Sequence, residues 1–284
     1  MPAFDPRVTP ARADLAAKFL DGKVAAPRYV EGRAMEVVAP QAPLRGEPRP
    51  DAPLFTEALL GERVTVYDID AEGWAWGQLE ADGYVGYLPA AALTPPGPPP
   101  THKVASLRTF AFPGPSIKLP PLEALPFGAR LAVARFADAM AVTASGIYVP
   151  AVHLKPVGDN EPDFVAVAAR FLGVPYLWGG KTALGLDCSG LVQVALNACG
   201  IKCPRDTDMQ QAALGAALAA ADYSRLVRGD LVFWKGHVAI VRDGDSLIHA
   251  NAFHMAVAIE PIADATARIR AAGGEIASVR RLGR

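Results

Sequence analysis

Apolar residues recur at helical spacing in several stretches of the later part of the chain. Between residues 163 and 172 the apolar members share one face: Phe164, Val167, Ala168, Phe171 and Leu172. This periodicity predicts a helix. A second helix is predicted to begin at Cys188 and to end at Cys199, because Gly200 suits the left-handed conformation that closes many helices. A third helix is predicted over 262–272.

Short β-forming stretches lie between and after these helices. They predict β-strands over residues 230–234, 237–241, 246–250, 257–261 and 276–281. A loop over 203–210 is expected to lead into an Ala-rich helix. Helices and strands in this order are typical of an α+β domain, in which the helix that begins at Cys188 packs on the sheet.

The first part of the chain has a different pattern. Short alternating strands separated by Gly and Asp turns run from residue 51 to residue 93, as is typical of a small β-barrel. Before them, residues 11–20 have helical periodicity and predict a helix. The Pro-rich stretch 26–50 is interpreted as a β-leaning segment that leads into the barrel.

A Pro-rich segment over 95–100 predicts a stiff, extended linker between two β-rich regions. The stretch 103–156 weakly repeats the first set of strands, with an aromatic-Pro start, a Gly-x-Arg strand and a last strand near a Pro. We therefore predict three domains. They are 1–95 with the first small barrel, 101–157 with the second, and 158–284 with the helices and their sheet.

Composition limits the classes of function. The chain has 284 residues, 51% of them hydrophobic, and a formal net charge of −1, so its charge does not favour nucleic acid or an anionic membrane as a partner. Its N-terminus lacks the pattern of a signal peptide, and no apolar stretch approaches the ~20 residues of a membrane span. Three cysteines make an odd count without a disulfide framework, which favours a reduced, cytoplasmic protein.

Cys188 is the candidate nucleophile. It is predicted in the first turn of its helix, where unpaired N–H groups and the positive end of the helix dipole stabilise a thiolate. The alternative is a small buried cysteine of the core. Its flanking residues, Asp187 and Ser189, are unusually polar for that role.

Two histidines lie on strands that the sequence predicts to be neighbours. His237 begins one strand and His249 lies near the end of the next, and Asp243-Gly-Asp245 joins the two strands. This placement predicts that the rings lie side by side, with His249 accepting the Nδ1–H of His237 and setting its tautomer. A thiol, a base and a group that orients the base are the parts of a cysteine peptidase. For either histidine alone, a structural role in the sheet is the alternative.

The chain resembles the NlpC/P60 family of cell-wall peptidases over residues 158–284. The resemblance rests on Tyr-x-Trp-Gly-Gly and Asp-Cys-Ser-Gly-Leu-Val around Cys188, Pro-Arg-Asp-Thr-x-x-Gln from Pro204, and the strands that contain His237 and His249. The motifs Gly-Glu-x-Val-x-Val and Gly-Tyr-x-Gly-Tyr-Leu-Pro near the start are similar to bacterial SH3 domains. The resemblance implies a papain-like α+β catalytic domain preceded by two SH3-like barrels.

The whole arrangement is similar to the γ-D-glutamyl-L-diamino-acid endopeptidases of the dipeptidyl-peptidase VI group. That group cleaves peptidoglycan stem peptides that carry a free N-terminal L-Ala. The resemblance implies Cys188 as nucleophile, His237 as base and His249 as the residue that orients it. It also implies that Tyr176 lines the site and helps to hold the oxyanion, although a tyrosine that only fills its turn is the alternative.

Further residues are implied as substrate contacts. Asp187 and Ser189 flank the nucleophile as in the family. Asp206 and Thr207 match an Asp-Ser pair, and Asp206 is expected to bind the α-ammonium of L-Ala, unless it only caps the following helix. In the first SH3-like domain, Glu62 and Tyr84 match family residues that close the site at the amino end of the substrate. Tyr87 is the alternative to Tyr84 in this role.

Three other functions are weighed against the peptidase. A zinc site could use Cys188, Cys199, Cys203, His237 and His249, but their spacing matches no closed zinc motif. A non-catalytic protein that binds wall peptides would not need the Cys/His set, and a related acyltransferase or amidase would favour an apolar tunnel. We expect no metal and no cofactor, a murein tripeptide or tetrapeptide as substrate, and a role in recycling wall fragments in the cytoplasm.

Overall fold

The computed structural model describes residues 4–219 and 225–283. The chain forms two compact units, Met1–Val157 and Gly158–Arg284, which we describe separately.

The first unit is built of strands and short turns. Its strands, numbered in chain order, are β1 (Ala16–Ala17), β2 (Tyr29–Val30), β3 (Arg33–Val37), β4 (Gln41–Arg45), β5 (Leu54–Leu59), β6 (Arg63–Ile69), β7 (Trp74–Leu79), β8 (Val85–Pro89), β9 (Leu93–Thr94), β10 (His102–Val104), β11 (Arg108–Ala111), β12 (Glu123–Pro126), β13 (Arg130–Leu131), β14 (Val133–Ala137), β15 (Met140–Thr143), β16 (Tyr148–Pro150) and β17 (Leu154–Pro156). Seven of them form an antiparallel sheet in the order β5-β4-β8-β7-β6-β3-β9. Alternate residues of these strands face one apolar core, which includes Leu44, Val64 and Leu88.

Two predictions for the start of the chain are wrong. Residues 11–20 do not form the predicted helix, because β1 pairs in parallel with β2 and only Lys18–Leu20 forms a 3-10 turn. Leu15, Ala16 and Ala17 are all fully buried. A helix with one apolar face would expose one of three successive residues. The stretch 26–50 is not a lead-in, since it contributes β3 and β4 to the main sheet.

The strands after residue 100 form three small sheets, in the orders β13-β10-β17, β11-β12 and β14-β15-β16. Their own core contains Val104, Leu125 and Val149. One feature occurs in both halves of this unit: a strand that ends at a proline, a 3-10 turn and a final short strand. The turns are Ala90–Ala92 and Ala151–His153. The division into two SH3-like barrels stays a prediction.

The second unit combines helices with one large sheet. Its elements are α1 (Phe164–Ala169), β18 (Lys181–Thr182), β19 (Gly185–Leu186), α2 (Cys188–Ala198), α3 (Thr207–Ala213), β20 (Ala216–Ala217), β21 (Leu231–Trp234), β22 (His237–Val241), β23 (Ser246–Asn251), β24 (Ala256–Pro261), α4 (Ile262–Ala271) and β25 (Ile276–Arg281). The antiparallel sheet has the order β20-β25-β21-β22-β23-β24, and α2 packs against β22 and β23. The predicted helix-on-sheet layout is therefore present.

Local signals placed most of these elements correctly. α2 ends at Ala198 with Cys199 as its C-cap, and Gly200 has a φ of +76°, as expected for a glycine after a helix. The Ala-rich stretch differs from its prediction, because α3 ends at Ala213 and the chain then pairs as β20. Residues 220 and 221 of that stretch lie outside the described residues. None of the helices in residues 4–219 and 225–283 has the length and apolar character needed to span a bilayer.

Candidate active site

Cys188 is the first residue of α2, and Asp187 caps the helix. The Asp187 carboxylate accepts a hydrogen bond from the backbone N–H of Gly190 at 2.7 Å, which satisfies one of the free donors at a helix start. It also accepts from the N–H of Gly179 at 2.8 Å. Gly190 lies so close to the Gly179–Gly180 loop that a Cβ there would overlap the carbonyl oxygen of Gly180. These contacts hold the start of α2 against the preceding loop.

A buried arginine completes this support. Arg205 is 1% exposed, and its guanidinium binds both carboxylate oxygens of Asp187, at 2.9 and 2.7 Å. It also donates to the hydroxyl of Ser189 at 2.8 Å. Burial opposes its charge, but the carboxylate of Asp187 raises the pKa of Arg205 above its usual value. The side chains of Asp187 and Ser189 are thus bonded within the domain, and their contact with substrate stays a prediction.

The thiol of Cys188 is buried between α2, α3 and the sheet. Its Sγ lies 3.9 Å from the hydroxyl oxygen of Thr207 and is hydrogen-bonded by the backbone N–H of Val238, the residue after His237. Burial, reinforced by the charge of Asp187, raises the pKa of the Cys188 thiol to about 11. The thiol is therefore protonated at neutral pH, and the expectation of a resting thiolate is not met. The stabilising N–H groups are outweighed by the loss of solvent.

His237 and His249 lie together on β22 and β23, as the sequence predicted. The two strands pair antiparallel, with Ile240 opposite Ile248. Nε2 of His237 lies 3.0 Å from Nδ1 of His249, and the ring centroids are 5.2 Å apart. The contact differs from the prediction in one atom, because His237 uses Nε2 rather than Nδ1. Its Nδ1 is therefore not engaged by His249.

Two residues behind this pair were missed in the sequence. Nε2 of His249 lies 3.1 Å from the carboxylate of Glu260 on β24, and Arg268 on α4 donates to both oxygens of that carboxylate, at 3.0 and 2.6 Å. A signal was present, because Glu260 interrupts an apolar strand and a buried carboxylate needs a partner. The sequence does not show which residue is that partner, because Glu260 is 11 residues from His249 and 8 residues from Arg268 in the chain.

Burial keeps both rings neutral. Burial, followed by the influence of His249, lowers the pKa of His237 to about 3. Burial lowers the pKa of His249 to about 4, although the carboxylate of Glu260 acts in the opposite direction. Burial also raises the pKa of Glu260, but the hydrogen bond and charge of Arg268 outweigh it and the pKa is lowered overall. At neutral pH the site thus holds a thiol, two neutral imidazoles and a carboxylate.

The other predicted residues of the second unit surround the thiol or begin α3. Burial raises the pKa of the Tyr176 hydroxyl, and the nearby Asp187 carboxylate raises it further, so this group remains a neutral donor. Asp206 precedes α3, but its side chain makes no capping hydrogen bond to that helix. The capping alternative for Asp206 therefore has no support in the geometry.

The two predicted residues of the first unit have local roles there. Tyr84 is 4% exposed and packs edge-on against Phe55, with ring centroids 6.0 Å apart. The Glu62 carboxylate accepts from the backbone N–H of Leu59 at 2.9 Å. Tyr87, the alternative tyrosine, lies 3.5 Å from an Arg12 nitrogen. Their contact with substrate stays a prediction.

One group in residues 4–219 and 225–283 has the spacing of a metal site. His249, His254 and Glu260 place ligand atoms within 4.8 Å of one another. Arg268 already supplies a positive charge to Glu260, so we assign no metal there. The cysteines considered for zinc do not belong to this group.

Family profiles match both units of the chain. The NlpC/P60 family matches residues 173–271, and the bacterial dipeptidyl-peptidase SH3 domain matches residues 44–93. A solved NlpC/P60 family protein from Bacillus cereus is similar in fold, with a TM-score of 0.73 at 23% identity over 87% of this chain and 99% of that one.

Two curated relatives align with different shares of the chain. A γ-D-glutamyl-L-lysine dipeptidyl-peptidase of Bacillus cereus is 28% identical over 74% of this chain and 71% of its own length. A dipeptidyl-peptidase 6 of Lysinibacillus sphaericus is 36% identical over 87 residues, and the chain covers only 31% of its length.

Proposed function

Because the chain carries an NlpC/P60 family domain preceded by a bacterial dipeptidyl-peptidase SH3 domain, we propose that it is a cysteine peptidase that hydrolyses the γ-D-glutamyl–diamino acid bond of peptidoglycan stem peptides with a free N-terminal L-Ala. The observation that carries the proposal is the hydrogen-bonded pair His237–His249 on the strands that pack against α2, which begins with Cys188. The similarity to a γ-D-glutamyl-L-lysine dipeptidyl-peptidase of Bacillus cereus supports the choice of bond.

The proposed reaction has two steps. His237 takes the proton of the Cys188 thiol while Sγ attacks the carbonyl carbon of γ-D-glutamate. The C–N bond then breaks, His237 gives its proton to the leaving amine, and a thioester remains on Cys188. Water, deprotonated by the same imidazole, hydrolyses the thioester and restores the thiol. His249 orients His237 throughout.

The neutral pair is compatible with this sequence of steps. A thiol with a pKa of about 11 and an imidazole with a pKa of about 3 do not form an ion pair at rest. Proton transfer therefore accompanies attack, when charge moves onto the carbonyl oxygen. We propose that the backbone N–H of Cys188 and the neutral hydroxyl of Tyr176 bind that oxygen.

Recognition of a free amino end would make the enzyme release dipeptides. We propose that Asp206 binds the α-ammonium and that Thr207, beside the thiol, contacts the peptide. Glu62 and either Tyr84 or Tyr87 are proposed to limit the site on the amino side of L-Ala.

The direct test uses L-Ala-γ-D-Glu-L-Lys and its meso-diaminopimelate analogue. We expect release of L-Ala-γ-D-Glu, no turnover by Cys188→Ala, and at least a tenfold lower kcat/KM for the N-acetylated tripeptide, since a charged hydrogen bond contributes about 1.5–3 kcal/mol. Transfer of the acyl group to an added amine without hydrolysis would favour an acyltransferase. Binding of the tripeptide without any reaction would favour a peptide-binding protein.

We also propose that the protein acts on released wall fragments in the cytoplasm. Cys188, Cys199 and Cys203 are all free thiols, as expected in a reducing compartment. Cell fractionation tests this proposal, and recovery of the protein mainly outside the cytoplasm would contradict it.

A further inference from the structure

Glu260 is a buried carboxylate that joins the histidine pair to a cation. It is 8% exposed, and its Oε2 lies 3.1 Å from Nε2 of His249. Arg268 binds it from α4 through Nε at 3.0 Å and Nη2 at 2.6 Å. The guanidinium of Arg268 also stacks on the ring of Phe253 at 4.4 Å, so it is held from a second side. This ion pair therefore has a defined geometry next to His249.

The hydrogen-bonding capacity of each group determines where the protons lie. An ionised carboxylate only accepts, so Nε2 of His249 must carry a hydrogen to bond to Glu260. A neutral His249 with a hydrogen on Nε2 has a bare Nδ1. That nitrogen accepts from Nε2–H of His237 at 3.0 Å.

The same logic extends to the next ring. A neutral His237 with its hydrogen on Nε2 has a lone pair on Nδ1, which is the nitrogen that His249 does not contact. A protonated Glu260, or one replaced by a donor, would permit the opposite assignment in both rings. His237 would then carry its hydrogen on Nδ1 and could not accept a proton there.

We propose that Glu260, held by Arg268, is a positioning residue that sets the tautomers of His249 and His237 and makes Nδ1 of His237 the basic nitrogen of the site. The catalytic role of Glu260 rests on the proposed function, whereas the positions of the protons on His249 and His237 do not depend on it. Among the residues that the structure describes, the titratable or charged groups that face His249 are Glu260 on β24, Arg268 on α4, His237 on β22 and His254 in the turn after β23.

The proton positions can be measured directly. Long-range 1H–15N spectra of the full chain, labelled at histidine and recorded at neutral pH, distinguish the two neutral tautomers. We expect His237 and His249 both to be Nε2–H tautomers. A spectrum in which His249 is the Nδ1–H tautomer would overturn the proposal, because that ring could not accept from His237.

Variants separate positioning from packing. Glu260→Ala removes the acceptor, so we expect mixed tautomers. We expect kcat to fall by on the order of tenfold to a hundredfold, which is at or below the lower end of what general-base catalysis contributes, because His237 itself remains. KM should change by less than about twofold, because Glu260 does not touch the peptide in this proposal. The exposed pair Arg270–Glu275 at the end of α4 supplies the matched control. Arg270→Ala and Glu275→Gln should leave spectra and kinetics unchanged.

Glu260→Gln covers the case in which the alanine variant does not fold. It keeps the volume but offers Arg268 and His249 one acceptor oxygen instead of two, so the preference for Nε2–H should weaken and kcat should fall by a smaller factor. Wild-type spectra and kcat in every folded Glu260 variant would overturn the proposal. The two proposals can fail independently. If the protein does not cleave the tripeptide, the peptidase proposal fails, but tautomers of His237 and His249 that change in the Glu260 variants still support the positioning role of Glu260.

Discussion

Arg205→Met tests whether a buried ion pair holds the helix that carries the nucleophile. Methionine fills most of the arginine's volume but makes none of the hydrogen bonds that Arg205 donates to Asp187, Ser189 and Gly180. The variant leaves the carboxylate of Asp187 buried without its cation. The start of α2 should therefore open more easily.

The structure sets the size of the effect. Removal of one partner from a buried pair costs about 3–5 kcal/mol. Asp187 keeps its hydrogen bonds from the N–H groups of Gly179 and Gly190, which partly satisfy its charge. The loss should therefore lie at the lower end, about 3 kcal/mol of local opening free energy, or roughly a hundredfold faster exchange of the α2 amides.

Hydrogen exchange of α2 peptides in the full chain measures this opening. Arg170→Met is the matched control, since Arg170 is 37% exposed and its pair with Glu161 should contribute no more than about 1 kcal/mol. If Arg205→Met changed α2 protection by less than about fivefold, the buried pair would not hold the helix and the reasoning would be refuted.

Three further predictions concern the thiol, the rings and one glycine. In a Cys199→Ser/Cys203→Ser background, iodoacetamide labelling of Cys188 should accelerate about tenfold per pH unit from neutrality towards 10, because the thiol pKa is about 11; a rate already constant near pH 7 would contradict this. His237 and His249 are neutral in the folded unit but bind protons below about pH 6.5 when it is unfolded. As the pH is lowered from 6.5 to 4, the free energy of unfolding of Gly158–Arg284 should therefore fall by about 1.4 kcal/mol per pH unit for each histidine. Urea unfolding followed by hydrogen exchange of β22 measures the slope, which should flatten in His237→Gln/His249→Gln. Gly190→Ala should destabilise α2 by about 1–3 kcal/mol, because the new Cβ would overlap the backbone carbonyl oxygen of Gly180. Unchanged protection of the α2 amides against hydrogen exchange would contradict this, because it would show that the loop at Gly180 moves aside.

Local patterns were sufficient for most of the second unit. The predicted strand 276–281 coincides with β25, and the predicted helix 262–272 differs from α4 by one residue. Asp-Cys-Ser-Gly placed Cys188 at a helix start because capping depends on neighbouring residues alone. The helix predicted at 11–20 failed because pairing of Ala16 with Tyr29, a contact outside the segment, overrode its helical periodicity.

The positions of His237 and His249 could be inferred together, since the turn between their strands is short and determines the pairing. The atom that joins them could not. The rings' orientation depends on Glu260, which reaches His249 from β24, and on Arg268 from α4. In the same way, Arg205 stood within a recognised motif, yet only the fold shows that it binds Asp187.

By itself the amino-acid sequence determined the helix that carries Cys188, the strands that carry the two histidines and the resemblance that links them, because each depends on residues near in the chain or on a motif. Tertiary structure alone decided the protonation of the thiol, the nitrogen through which His237 meets His249, and the buried charges that support both. Burial and long-range hydrogen bonds set proton affinities, and neither exists until distant segments pack together.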